Sequence, residues 1–441
     1  MKVDYKSIWT MSYPILISVL MQQLIGITDV IFLGRLGEIE LGASALGSTY
    51  FFTIFMVAFG FSVGTQIIMA RRNGEKKYEK IGQVFYQGST FLMFSGFIFI
   101  ILSYILTPII LRYLINSEEI YHATIKYVNW RMCGILGASI ILMARSFFVS
   151  ITKTKVLTLI SVIMVCSNIV LNYILVFGKF GFPKLGIVGA AIASNSSELI
   201  AIVVYFAYFI SKIDLKKYGF NKFVYKDIKL LKSILDVSVW TMLQQFISVS
   251  TWFLFFVAIE HLGERELAIS NIIKSLFSFI FVVINAFAST VSSIVSNLIG
   301  EGKSNEVIPA TNKTLKLCCL VTIPVMLIMI TFSYPLLRIY TDSTDIIIQS
   351  VPSLISMIVG NIILIPGWIY LCSVLGTGNT KYTMQIEFFA MIVYVLYIII
   401  IIEYLKLSLP ICWGADAVYN LAILFFSYCY MYSYKWCNKK V

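Results

Sequence analysis

The chain has 441 residues, 59% of them hydrophobic and 13% charged, with a mean hydropathy of +0.88 and a formal net charge of +12. A soluble protein is nearer half apolar with about a quarter of its residues charged, so this composition excludes one and requires a polytopic membrane protein. The basic excess is strung along the segments that flank apolar runs, which points to anionic lipid headgroups as its counter-charge and away from nucleic acid.

Runs apolar and long enough to cross a bilayer, about 20 residues each, fall at 11–33, 45–70, 84–110, 127–150, 156–178, 185–211, 234–259, 269–298, 314–338, 346–375, 382–402 and 408–434. They predict an all-α integral membrane fold with twelve transmembrane helices. Lys2, Asp4 and Lys6 lead directly into a full-length run, so no cleavable signal is expected. Asp29 stands six residues before Arg35, roughly 9 Å inside the outer boundary by helical rise. The fourth run holds Arg131 and Arg145, the latter about two turns from Lys153 and so open to an interfacial placement. Asn168 and Asn172, spaced i, i+4, present two amides on one face of the fifth helix. Glu198 lies roughly 18 Å into the sixth, with Ser194 one turn away. A carboxylate in a span costs about 2.5–3.5 kcal/mol on insertion scales and usually faces a cavity or a partner. Asp29, Glu198, Asn168, Asn172 and Ser194 are therefore read as a proton- or cation-coupling group. The plainer alternative is hydrogen bonding between helices, at about 0.6 kcal/mol each.

A basic, partly aromatic stretch at 212–232 is read as a cytoplasmic linker resting on headgroups. It separates an N-terminal six-helix lobe at 1–211 from a C-terminal one at 233–441. In the second lobe Gln244, Gln245, Trp252, Asn285, Asn361, Trp368 and Tyr370 are neutral groups that could line a substrate cavity or pack helices together. Glu387 is grouped with them, although at six residues from Lys381 it could extend toward the cytoplasmic interface. Asp416, near the outer end of the last run, has a similar interfacial alternative.

The two lobes repeat each other at a constant offset of 226 residues. Lys6-Ser7-Ile8 recurs as Lys232-Ser233-Ile234, Leu36-Gly37-Glu38 as Leu262-Gly263-Glu264, Gly74-Glu75 with Lys77 as Gly300-Glu301 with Lys303, and Thr154-Lys155 as Thr380-Lys381. Several polar clusters sharing one offset indicate a duplicated unit. With six spans each the repeats share one orientation, the parallel plan of many transporters. Placing the N-terminus inside puts roughly two dozen basic residues on the cytoplasmic side against about nine outside, so both termini are expected to be cytoplasmic. The eight cysteines show no metal-ligand spacing, and His122 and His261 fall at outer loops, which leaves carboxylates for any proton chemistry in the membrane. Gly376-Thr377-Gly378-Asn379-Thr380-Lys381 lacks the spacing of a nucleotide loop and reads as a tight turn, so energy is expected from an ion gradient.

Ser12-Tyr13-Pro14, Asp29 followed by Leu33-Gly34-Arg35-Leu36-Gly37, Asn168 with Asn172 and Phe177-Gly178, Gly186 with Gly189-Ala190-Ala191-Ile192-Ala193-Ser194, and Leu375-Gly376-Thr377-Gly378-Asn379-Thr380 occur in that order. Together they resemble the multidrug and toxic compound extrusion (MATE) family over essentially the whole chain. The resemblance implies two six-helix bundles forming a V-shaped central cavity, and export of organic, often cationic and amphipathic compounds in exchange for protons or sodium ions. In its DinF-like branch, aspartates on the first and fifth helices form a polar network. Asp29 matches the first; Asn172, which cannot titrate, stands at the second, and Glu198 is expected to take its place. The NorM-like branch carries acids on the seventh and tenth helices, whereas 237–259 and 346–375 here contain none. The resemblance therefore leans to the DinF-like branch and to protons, with sodium as the other coupling ion.

The expected function is a secondary active multidrug antiporter of a bacterial cytoplasmic membrane, acting as a monomer on a small drug-like solute within the lipid bilayer, with no cofactor, no metal and no nucleic-acid partner. The alternatives are a flippase of the same superfamily for a lipid-linked sugar, where Arg131 and Arg145 could hold phosphate, and a dedicated metabolite exporter. An enzyme is not expected, since a membrane-embedded transferase would need clustered acids at a loop boundary to bind a divalent metal.

Overall fold

The computed structural model describes residues 3–115, 117–220, 227–341 and 343–437. Lys2, Lys439, Lys440 and the linker residues 221–226 lie outside them. Twelve helices among the described residues are long and apolar enough to cross a membrane, as the sequence predicts, and no strand occurs there. They are α1 (Tyr5–Gly34), α2 (Glu38–Gly74), α3 (Tyr78–Leu114), α4 (Glu118–Ser150), α5 (Lys155–Phe177), α6 (Gly186–Lys212), α7 (Ile228–Glu260), α8 (Glu264–Gly300) and α9 (Val307–Thr331). After the short α10 (Ser333–Arg338) come α11 (Thr344–Gly376), α12 (Thr380–Ile398), the short α13 (Leu409–Cys412) and α14 (Gly414–Tyr432). The run predicted at 314–338 is broken at Phe332. Pro335 accounts for this, because its ring would clash with the carbonyl of Thr331, four residues earlier, where α9 ends.

The repeat is visible in the backbone as well as in the residues. Ser117 and Ser343 occupy the same repeat position, and each accepts the amide of the third residue of its helix, from Ile120 at 3.4 Å and Ile346 at 3.5 Å. After α2 the chain turns through Lys76 at φ 58°, and after α8 through Gly302 at φ 74°. After α4 it turns through Thr152 at φ 62°, and after α11 through Gly378 at φ 86°. The second repeat thus uses glycine where the first holds an L side chain in the left-handed region.

Two compact units emerge, one of Ile17–Met242 and the other of Met1–Leu16 with Leu243–Val441. The divisions at Leu16 and Met242 fall at one repeat position, so each unit is completed by the opening segment of the other repeat's first helix. Within the Ile17–Met242 unit, Gly60 and Gly64 on α2 form a small-xxx-small face against the start of α7. A Cβ on Gly60 would lie 2.7 Å from Met242 Cα, and one on Gly64 2.7 Å from Ser238 Cα. Thr241 Oγ1 donates to the Gly60 carbonyl at 2.6 Å. The equivalent contact in the other unit joins α1 to α8, where Ser12 Oγ donates to Thr290 Oγ1 at 3.0 Å and Ile8 is sealed in the core.

The described start of the linker turns its aromatic side chains into the Ile17–Met242 unit. Tyr218 is buried, Phe220 packs edge-on to Phe85, Phe147 and Phe209, and Tyr86 Oη donates to the Phe220 carbonyl at 3.2 Å. Its aromatic rings cap the ends of α3, α4 and α6, while Lys212, Lys216 and Lys217 stay exposed.

Candidate functional site

In the Ile17–Met242 unit, α4 packs against α2, α3 and α6, and α5 against α6, which brings polar side chains from α1, α4, α5 and α6 together inside apolar walls. Four of the five residues grouped from the sequence meet here, Asp29 with Asn168, Asn172 and Ser194, while the fifth, Glu198, stands one turn from Ser194 on α6 and pairs elsewhere. Asn172 Nδ2 donates to Asp29 Oδ1 at 2.7 Å and to Asn168 Oδ1 at 3.1 Å. Ser194 Oγ donates to Asp29 Oδ2 at 3.1 Å and accepts from Asn168 Nδ2 at 3.2 Å. Asn168 and Asn172 are wholly buried, and Asn172 Oδ1 is sealed without a donor.

Every direct side-chain partner of Asp29 is therefore a neutral group that can reverse its role. A hydroxyl donates or accepts, and an amide turned over presents its carbonyl instead of its NH₂. The same shell can serve a carboxylate as donors or a carboxylic acid as acceptors, and Asn172 Oδ1 is the acceptor in reserve. The oxygens of Asp29, Asn168, Asn172 and Ser194 are also hard donors of the kind that suit a small cation.

Glu198, the fifth member, has a different environment. Arg131 Nη2 donates to its Oε1 at 2.7 Å, with both side chains nearly buried, while Arg131 Nη1 donates to Asn195 Oδ1 at 2.7 Å. Asn195 Nδ2 in turn donates to the Trp130 carbonyl at 2.6 Å, and the guanidinium lies 3.8 Å over the Phe51 ring. Gly134 leaves room for this arrangement, since a Cβ there would collide with Asn195 Oδ1 and Arg131 Nη1. Arg131 is close enough to Asp29 for its charge to act on that carboxylate too. The sequence named Arg131 only as a possible phosphate ligand and did not name Asn195, so neither was recognised there as a partner in the Glu198 group. The signal was present: Arg131 is thirteen residues into α4 and Glu198 twelve into α6, so helical rise puts both charges roughly 18–20 Å along helices that start on one side.

The MatE family profile matches residues 14–174 and again 241–400, once in each repeat. The chain belongs to the MatE family. Relatives of this MatE chain include proteins named "Probable multidrug resistance protein NorM" from Photorhabdus laumondii and Pasteurella multocida. Each is 24% identical and covers 78% of this chain, with 76% and 75% of the relative aligned. These names give no support to the expected leaning toward the DinF-like branch. A solved structure described as the outward-facing conformation of a multidrug resistance MATE family transporter of the MOP superfamily matches with a TM-score of 0.89. It is 20% identical, and the match covers 99% of this chain and 97% of that one, which shows the shared twelve-helix fold.

The second polar group of this MatE protein is centred on Glu387, in the unit of Leu243–Val441. Contrary to the expectation that it could extend to the interface, Glu387 is 0% exposed. Gln244 Nε2 donates to its Oε1 at 3.2 Å and Ser248 Oγ to its Oε2 at 2.9 Å, so α7 draws the carboxylate inward. Ser18 and Ser161 hold the equivalent repeat positions and share a 2.6 Å hydrogen bond in the other unit. The other residues named from this half do not converge on Glu387. Trp252 and Trp368 are the ends of an aromatic row through Phe277 and Phe281, with centroid separations of 4.8, 5.6 and 5.5 Å. Tyr370 Oη donates to Asn312 Oδ1 at 2.7 Å, Asn361 bonds back to the Met357 carbonyl, and Gln245 and Asn285 are half-buried. Asp416 is likewise drawn inward, taking a 3.4 Å bond from Tyr394, and Arg145 is buried within the other unit.

Proposed function

We propose that this MatE chain is a secondary active exporter that exchanges small organic, amphipathic or cationic compounds for a cation, with protons as the coupling ion and sodium as the alternative. The observation that supports it best is Asp29 among Asn168, Asn172 and Ser194, a carboxylate whose direct partners can reverse their hydrogen bonds when a proton arrives. Glu198 acts in this reading as the fixed counter-charge of Arg131, and Asp29 is the group that changes state. Protonation of Asp29 removes its attraction to Arg131 and allows α1, α5 and α6 to repack. Coupling requires the proton and the cargo to favour different arrangements, since a ligand binding both equally shifts nothing. The names of the relatives support a multidrug cargo, and the basic residues around the short loops support an inner-membrane protein with both termini cytoplasmic. A monomer carrying no cofactor completes the reading.

The test is dye uptake into inverted membrane vesicles driven by an imposed pH gradient, repeated with a sodium gradient. Asp29→Asn should abolish gradient-driven uptake while Glu198→Gln retains part of it. Full proton-driven uptake by Asp29→Asn would show that the carrier lies elsewhere, and uptake that follows sodium alone would reassign the ion.

A further inference from the structure

Arg145 is a buried cation that the coupling cluster does not use. It lies eight residues before Lys153, about 12 Å along α4 from that loop, within an unbroken buried stretch from Leu142 to Ser150. Arg131, on the same helix, shows how a partnered guanidinium is held, with an amide, a carboxylate and an aromatic face. Arg145 has only the last of these. Its guanidinium carbon is 5.8 Å from the centre of the Phe59 ring, and the buried Tyr205 phenol is close enough to interact with its charge without a hydrogen bond. Among the described residues no hydrogen bond or ion pair reaches it, and its Nε is sealed from solvent without an acceptor. Linker residues 221–226, outside the described set, contain no aspartate or glutamate to supply one. The hydroxyls of Ser146 and Ser62 give their protons to backbone carbonyls, of Ser62 at 2.8 Å and of Phe59 at 2.7 Å, and neither accepts a bond from Arg145.

A guanidinium is charged at every working pH and cannot escape the cost of burial by losing its proton. Its fork geometry matches the two oxygens of a carboxylate or phosphate, and such charge-assisted pairs are the strongest hydrogen bonds available to it. Nine-tenths of the side chain is buried, and 9% of its surface is open. We propose that Arg145 is the seat for an oxyanion borne by an apolar or aromatic molecule, with the rings of Phe59 and Tyr205 as the walls that receive its body. The seat extends the cargo range of the exporter to amphipathic acids and zwitterions. It rests on the exporter reading only for the fate of the bound molecule, because occupancy itself needs no gradient.

The test is equilibrium binding to the purified full chain in phosphatidylcholine nanodiscs, using rhodamine B, which has a free carboxylate, and its methyl ester, which does not. Wild type should bind the acid about tenfold or more tightly than the ester, the value of a charge-assisted pair. Arg145→Gln and Arg145→Met should each abolish that preference while ester binding stays within about twofold, a bound that also reports a folded protein. If phosphatidylglycerol in the nanodisc competes with the acid in wild type, the natural occupant is a lipid headgroup of net negative charge; if exchanging zwitterionic for anionic lipid has no effect, it is the solute's own anion. Either result supports the seat. Equal affinity of wild type for acid and ester overturns it, as does a preference that survives both substitutions. Failure of ion-driven transport with the acid preference intact would count against the exporter reading alone.

Discussion

Replacing Arg131 by methionine tests whether the pair with Glu198 is a built counter-charge or an incidental contact. The two groups meet at 2.7 Å with only 13% and 12% of their side chains exposed, so solvent screens them little. Two unit charges about 4 Å apart attract by about 4 kcal/mol at an effective dielectric constant near 20. Removing one partner of a buried pair costs about 3–5 kcal/mol, because the other charge stays buried without compensation. Arg131→Met should therefore destabilise by about 4 kcal/mol, including the bond to Asn195, and Glu198→Gln by about 3 kcal/mol. The double variant should cost about 4 kcal/mol rather than the sum, giving a coupling energy of about 3 kcal/mol. Unfolding titrations in mixed detergent micelles, followed by tryptophan fluorescence, measure all four proteins. A coupling energy below about 0.5 kcal/mol, the limit for independent sites, would refute the argument.

Other outcomes follow from the same geometry. Gly60→Ala places a methyl group against the backbone of Met242, which cannot move aside, and should cost about 1–3 kcal/mol in the same titration. Thr152→Gly relieves a left-handed threonine worth about 1–2 kcal/mol and loses about 0.5–1 kcal/mol to chain entropy, so the midpoint should rise slightly; a fall would contradict the assigned strain. Glu75 lies in a loop outside the spans. Partial burial alone would raise its carboxyl, but hydrogen bonds from Lys77 and Arg72, together with their charges, outweigh that and hold it below its ordinary value of 4.5. A depressed carboxylate contributes stability above its unfolded value and loses it as pH falls through the folded one, so the difference between wild type and Glu75→Gln should shrink below pH 4.5 in melting curves.

The twelve spans and the duplication were legible because burying a backbone in lipid demands long uninterrupted apolar helices, and these leave their mark on composition alone. Asp29, Asn168, Asn172 and Ser194 were legible for the complementary reason that polar groups are costly in such helices. The pairing of Glu198 with Arg131 was harder to see, because it depends on which faces of α4 and α6 meet. Hydropathy gives depth along a helix and not rotation about it. The same limit concealed the inward turn of Glu387, where sequence distance to Lys381 suggested the interface and packing against α7 decided otherwise. The break at Phe332 was not legible from Pro335 alone, since Pro14, Pro108, Pro324, Pro352 and Pro366 lie inside unbroken helices.

The exchange of opening segments between α1 and α7 bears on how the chain can be taken apart. Severing the linker between Lys226 and Asp227 would give two fragments of similar span number, yet neither is a self-sufficient body. The upstream piece would hold residues 3–16 with nothing to clasp them and would expose the α2 glycine face that Ser238, Thr241 and Met242 normally cover. The downstream piece would lack Ile8 and Ser12 from its interior. Co-produced fragments should recover the fold by trading these segments, whereas each made separately should be degraded, so the duplicated halves no longer survive as independent proteins.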